Sequence, residues 1–337
     1  MKTFEHGGQI DSFAKELGCE IKDIIDLSSN INFIKPEVNI DFNSLDISAY
    51  PIYDKLYEKI ANNYKIDVSE MELFNGGSSA IFTLFKHLDL THCTIYSPAY
   101  LEYKKAAVNF AYELRTINRF ENMLLPVKEG SLVVFVNPST PDGTYYDIDT
   151  LMNYWIQRHC TILIDESFLD FCDGKSATKY IKEYDKLYIL KSMTKFYSSA
   201  GIRVGTLVSN EKNIESIKRF EPMWKLSQFD SNYLQSALED YSFKRISKAI
   251  NVKNRIELEK ILQNCELIES IYQSSANYIL AKLKNITAKH LQEKLKPYRI
   301  MIRDCSNFDF LDENYVRIAV KASSANIILK KALEEIC

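Results

Sequence analysis

Closely spaced cysteine pairs are missing from this chain. Its seven cysteines stand at 19, 93, 160, 172, 265, 305 and 337, an odd number with no C-x-x-C. That spacing provides neither a zinc-ligand set nor a disulfide framework, so no metal is expected and a reducing compartment is. A basic field is missing too: 42 Lys and Arg against 45 Asp and Glu leave a net charge of -3, and no basic block is interleaved with aromatics. Nucleic acid binding is therefore not expected. Met1 to Gln9 carries Lys2, Glu5 and His6 before any apolar run, so neither a signal peptide nor a membrane span is expected and a cytoplasmic location is. The G-x-G-x-x-G spacing of a dinucleotide fingerprint does not occur, nor does an internal repeat or a low-complexity linker.

What is present suffices for a sizeable core: 46% of the 337 residues are hydrophobic. Short apolar runs predict buried strands at Cys93–Tyr96, Leu132–Val136, Thr161–Ile164 and Leu187–Leu190. Helical patterns fall between them, from Ser78-Ser79 through Leu88, over Leu101–Ala111 and over Ile148–Arg158. Such alternation predicts an α/β fold, a mainly parallel sheet sandwiched by helices, whose ligands gather at the carboxyl ends of the strands. Beyond residue 210 the pattern predicts one long helix, Ser231–Asn264, with a single buried face. Strands at Tyr278–Leu283, Ile300–Arg303 and Tyr315–Val320, with helices at Ala288–Leu295 and Ser324–Leu333, predict a smaller α+β domain.

The most informative stretch is Ser192-Met193-Thr194-Lys195, followed eight residues later by Arg203. A lysine beyond a buried strand is costly unless its amine is neutralised or bonded, and Schiff-base formation with an aldehyde cofactor does both. The serine and arginine nearby suit a phosphate. Asp165 closes the third strand, where a protonated pyridine nitrogen would give it a cationic partner; a helix cap or a metal ligand is the other reading of that position. Gly76, Gly77 and Ser78 open a helix whose free amides suit a phosphate, or form a simple cap after a tight turn. Tyr100 could stack on a cofactor ring or merely pack. Arg303 and Arg317, on two predicted strands, suit a substrate with carboxylate and phosphate groups if they share a cleft.

With these pieces in order, the sequence resembles the fold-type I pyridoxal 5'-phosphate enzymes of the histidinol-phosphate aminotransferase group over nearly its full length. Within that group it is most similar to the L-threonine-O-3-phosphate decarboxylases of cobalamin biosynthesis. The segments that carry this are His6-Gly7-Gly8, Asp26-Leu27-Ser28-Ser29-Asn30-Ile31-Asn32 and Ile302-Arg303-Asp304-Cys305-Ser306-Asn307-Phe308. A further one is Asp165 to Phe171, with Phe168 where many aminotransferases carry a tyrosine. The resemblance implies Lys195 as the cofactor-bearing lysine, Asp165 at the pyridine nitrogen, and Gly77, Ser78, Ser192 and Arg203 on the cofactor phosphate. It also implies that Tyr50 reaches the cofactor phosphate of a neighbouring subunit, hence a homodimer with shared sites. His6, Asn30, Arg303 and Arg317 match positions that bind the phosphorylated amino acid. Thr140 replaces the second asparagine of the family's Asn-Pro-x-Asn-Pro-x-Gly turn and, with Phe168, implies altered contacts to the cofactor's phenolic oxygen. The division implied is an N-terminal segment over 1–35, a large cofactor-binding domain over 36–220, and a bridging helix with a small domain over 221–337. Decarboxylation of O-phospho-L-threonine or O-phospho-L-serine is the expected reaction; transamination of a phosphorylated substrate such as histidinol phosphate is the alternative.

Overall fold

A computed structural model describes residues 8–336. Eight strands come first in the chain: β1 (Ile25–Asp26), β2 (Met71–Asn75), β3 (His92–Ser97), β4 (Glu113–Asn118), β5 (Leu132–Val136), β6 (Thr161–Asp165), β7 (Leu187–Ser192) and β8 (Val204–Val208). Seven of them form one sheet in the order β2-β8-β7-β6-β5-β3-β4. Four of its pairings are parallel, and β8 runs antiparallel to both β7 and β2.

Side chains alternate across this sheet, so each apolar strand supplies two cores. Val133, Phe135, Ile162 and Ile164 pack on one face with the helices Asp54–Tyr64 and Asp149–Gln157, around Trp155. Leu132, Val134, Val136 and Leu163 pack on the other, under the helices Gly76–His87 and Leu101–Asn109.

Five more strands follow: β9 (Ile268–Ile271), β10 (Tyr278–Leu283), β11 (Ile300–Met301), β12 (Arg303–Asp304) and β13 (Tyr315–Ala319). Four make an antiparallel sheet, β12-β13-β10-β9, while β11 pairs in parallel with β1. Their core takes Leu258 and Leu262 from the helix Phe243–Gln263, and Leu329 and Leu333 from the helix Ser323–Ile336.

Two sequence expectations are corrected. The single helix over 231–264 is two, Gln228–Ala237 and Phe243–Gln263. Asp240 makes the break, its carboxylate accepting from Ser242 Oγ and Phe243 N at 3.0 Å each and so starting a new helix. The strand over 300–303 also divides, because Ile302 N donates to Gln292 Oε1 at 2.7 Å and the chain changes sheets there. No helix among the described residues is long and apolar enough to cross a membrane.

Candidate active site

A cavity of about 250 Å³ opens between the two main sheets at the carboxyl ends of the parallel strands. From the large sheet, Gly77, Ser78, Tyr100, Thr140 and Asp165 line it, followed by Ser192, Lys195 and Arg203. From the other side come Asn30, Arg303 and Arg317. Tyr50 does not line it: that side chain is exposed on the surface and stacks on Trp224 with ring centroids 4.1 Å apart. His6 lies outside the described residues.

Asp165 ends β6 inside the fold, 4% exposed. Tyr103 donates its hydroxyl to Oδ2 at 2.7 Å, and Ser167 donates its backbone N–H to Oδ1 at 2.8 Å. Among the described residues no cation pairs with this carboxylate. Burial raises its pKa above the ordinary value, and the Ser167 and Tyr103 hydrogen bonds oppose that shift only in part. Behind it, on the opposite face, Glu166 is neutralised by Lys191 at 2.5 Å, both side chains nearly inaccessible to solvent.

The turn after β2 needs glycine. Gly76 has φ of +81°, and a Cβ there would run into the Arg203 guanidinium. A Cβ on Gly205, opposite Phe74 in β8, would stand 2.6 Å from the backbone of Gly76 and Gly77. These contacts bring the β8 backbone and Arg203 against the N-terminus of the helix Gly76–His87, whose first amides lack partners within the helix. Ser78 Oγ lies 3.3 Å from Tyr100 Oη.

Lys195 belongs to a short helix, Met193–Phe196, directly after β7. Its ammonium makes no hydrogen bond or ion pair among the described residues. Burial lowers its pKa to about 8, the positive fields of Arg317 and Arg203 adding to the shift and Asp165 opposing it.

Arg303 and Arg317 are direct cross-strand partners. Arg317 is 7% exposed; its guanidinium reaches Thr140 Oγ1 at 3.3 Å and Ser28 O at 3.1 Å and leaves Nε buried without a partner. Thr140 thus accepts from an arginine, and its side chain also hydrogen-bonds the Tyr278 hydroxyl, which in turn donates to Ser139 O at 2.8 Å. Arg303 Nη2 donates to Asn307 Oδ1 at 2.9 Å. The 28–32 segment is fastened beside them: Asn277 Nδ2 donates to Asn30 O at 2.9 Å, and Asn32 N to Lys195 O at 3.0 Å.

Sequence reasoning did not single out Tyr103, Ser167, Thr194 or Phe308. Tyr103 sits on the buried face of an amphipathic helix, where a tyrosine reads as core. Ser167 had a signal, since a serine two residues after an aspartate commonly closes a side-chain turn.

The sequence pattern of the family described as aminotransferase class I and II matches residues 26–336. A threonine-phosphate decarboxylase of Salmonella typhimurium is 25% identical over 98% of this chain and 96% of its own length. A histidinol-phosphate aminotransferase of Methanocaldococcus jannaschii is 27% identical over all of this chain and 95% of its own length. The crystal structure of the histidinol-phosphate aminotransferase from Clostridium acetobutylicum superposes with a TM-score of 0.84 at 27% identity, covering 93% of this chain and 99% of that one.

Proposed function

The chain belongs to the aminotransferase class I and II family, with the fold of the fold-type I pyridoxal-phosphate enzymes, and on that premise we propose that it decarboxylates an O-phospho-L-amino acid. The observation that carries this reading is the Arg303–Arg317 pair. Like charges directly opposite in a ladder destabilise it unless an anion lies between or beside them. Both line the same cavity as Lys195, in addition to Arg203. A phosphorylated amino acid brings two anionic groups, a carboxylate and a phosphate, to two guanidiniums. Histidinol phosphate brings one.

The cavity fits the family's cofactor, pyridoxal 5'-phosphate. A buried carboxylate with hydrogen-bond donors but no cation among the described residues suits a protonated ring nitrogen, which supports Asp165 as its partner. The helix N-terminus at Gly77 and Ser78, with Ser192 and Arg203, suits its phosphate. Lys195 suits its aldehyde, and Tyr100 could cover the ring. When bound, this group supplies the sink for the electron pair released at Cα.

The chain's own residues do the rest. Arg303, Arg317 and Asn30 hold the substrate's carboxylate and phosphate, and their spacing decides which bond at Cα is presented for cleavage. Once carbon dioxide has left, Lys195 Nζ in its protonated form would donate the proton that takes the carboxylate's place on Cα, so the product amine keeps its phosphate. Transamination would instead need Cα–H presented and the same lysine taking that proton.

We further propose a homodimer. Tyr50, Ile52, Met223 and Trp224 form an exposed apolar group around the Tyr50–Trp224 stack, and a second copy covering it would bring Tyr50 towards the partner's cofactor phosphate. Analytical ultracentrifugation of the wild type and of Tyr50→Ala tests this; a monomeric wild type would overturn it.

The deciding experiment is carbon dioxide release from O-phospho-L-threonine and O-phospho-L-serine by the cofactor-loaded protein, with no keto acid added. Release is the expected result. No release, with glutamate converting the cofactor to its amine form, would assign an aminotransferase.

A further inference from the structure

The turn between β12 and β13 has a role that the two arginines alone do not explain. Resting on the decarboxylase reading, we propose that Phe308 is the wall against which the substituent on the substrate's Cβ packs, and that the Lys104–Asp309 ion pair sets its position.

Phe308 is buried and lines the cavity. The Arg303 guanidinium lies 5.6 Å from its ring centroid and donates to the neighbouring Asn307, so the anion grip and the apolar wall form one unit. The other lining residues from this side, Ser28, Ser29, Asn30, Arg303 and Arg317, are polar. Ile81, Phe168 and Leu190 are apolar, but they enter from the large sheet beside Asp165 and Ser192, where the cofactor belongs. Among the described residues, Phe308 is therefore the apolar residue that the arginines' side contributes to the cavity lining, with Tyr100 entering from the large sheet. Phosphothreonine and phosphoserine differ by one methyl on Cβ, and only apolar contact tells them apart, by about 1–3 kcal/mol.

The turn is anchored at both ends. Beneath it, Cys305, Phe308 and Leu311 pack with Leu280 in a small core of their own. From the helix Leu101–Asn109, packed on the large sheet, Lys104 Nζ meets Asp309 Oδ1, next to Phe308 in the chain, at 2.5 Å, both partly buried. Lys104 follows Tyr103 on the helix Leu101–Asn109, so the helix that supports Asp165 also holds the substrate-side wall.

The test compares kcat/KM for carbon dioxide release from O-phospho-L-threonine and O-phospho-L-serine in holoenzyme carrying Phe308→Ala, Phe308→Leu, Asp309→Asn or Lys104→Arg. The wild type should prefer phosphothreonine, and Phe308→Ala should reduce that preference about tenfold or more. Phe308→Leu should reduce it less, and serves if the alanine variant does not fold. Asp309→Asn should shift the ratio in the same direction by a smaller factor, while Lys104→Arg should keep it. A wild type that prefers phosphoserine, or an unchanged ratio in both Phe308 variants, overturns the inference and leaves the decarboxylase reading standing. A shift at Phe308 without one at Asp309 overturns the part assigned to the ion pair. No release from either compound by the wild type overturns the decarboxylase reading and this inference together.

Discussion

Arg303 and Arg317 stand opposite each other in the β12–β13 ladder, so their side chains leave the sheet on the same face. An anion there should relieve their repulsion. Inorganic phosphate is expected to raise the melting temperature of the wild type and to do so less in Arg317→Ala. The same variant should raise KM and lower kcat together, because the grip it loses orients the substrate as well as binding it. Unchanged kinetics would remove Arg317 from the site.

Tyr103→Phe deletes one of the donors that keep Asp165 ionised. A hydrogen bond to a charged group contributes about 1.5–3 kcal/mol, which corresponds to roughly ten- to hundredfold. Slower turnover and faster cofactor loss are expected within that range, measured by steady-state kinetics and dialysis. A variant matching the wild type in both would show that Asp165 needs no help from the helix.

The Lys195 amine, with a pKa lowered to about 8 from its ordinary 10.5, is neutral and nucleophilic above that pH. The rate at which pyridoxal phosphate reconstitutes the apoprotein should therefore rise with pH and level off above about 8. Arg317→Met should move that midpoint upward, since one of the fields that depresses it is gone. Linkage gives a second readout. Between about 8 and 10.5 the unfolded chain holds a proton at this lysine that the folded chain has shed, so folding stability from this group rises with pH across that window. Lys195→Ala should stop turnover, keep the fold, and remove that rise; a midpoint near 10 for the wild type would contradict the buried setting.

Gly205→Ala should damage the phosphate turn without touching any charged group. Its methyl would stand 2.6 Å from the Gly76–Gly77 backbone, which has no side chain to move aside. Overpacking of this kind costs about 1–3 kcal/mol. Calorimetry should find the loss of stability and cofactor titration a weaker affinity; normal affinity would mean that the turn tolerates displacement.

Legibility in the sequence followed burial. β3, β5, β6 and β7 are central strands covered on both faces, so their apolar runs stand out, and the site residues at their ends could be read with them. β4 is an edge strand whose side chains are mostly exposed or half-buried, and Glu113, Arg115 and Asn118 interrupt any run. β8 carries Gly205 and Thr206, which look like a turn until the close approach to Gly76 is known. Asp240 broke a helix because a local side-chain turn outcompeted an apolar stripe that continues on both sides. Lys195, Asp165 and the arginines were readable because each is a costly residue at a strand end or in a strand. Tyr103 and Phe308 were not, since an aromatic gives the same sequence signal whether it fills a core or walls a cavity.

The reversal at β8 has a consequence for chain length. β7 leaves the sheet at the cavity edge, Lys195 follows at once, and the chain re-enters through β8 at that same edge, with Arg203 immediately before it. A parallel return would need a crossover of a dozen or more residues, and would bring the chain back into the sheet at the far edge. The separation between the two cations is therefore fixed by one short local connection rather than by the docking of distant elements. Surrounding helices can lengthen, shorten or drift in sequence without altering it, whereas a single insertion within residues 197–202 would change it directly.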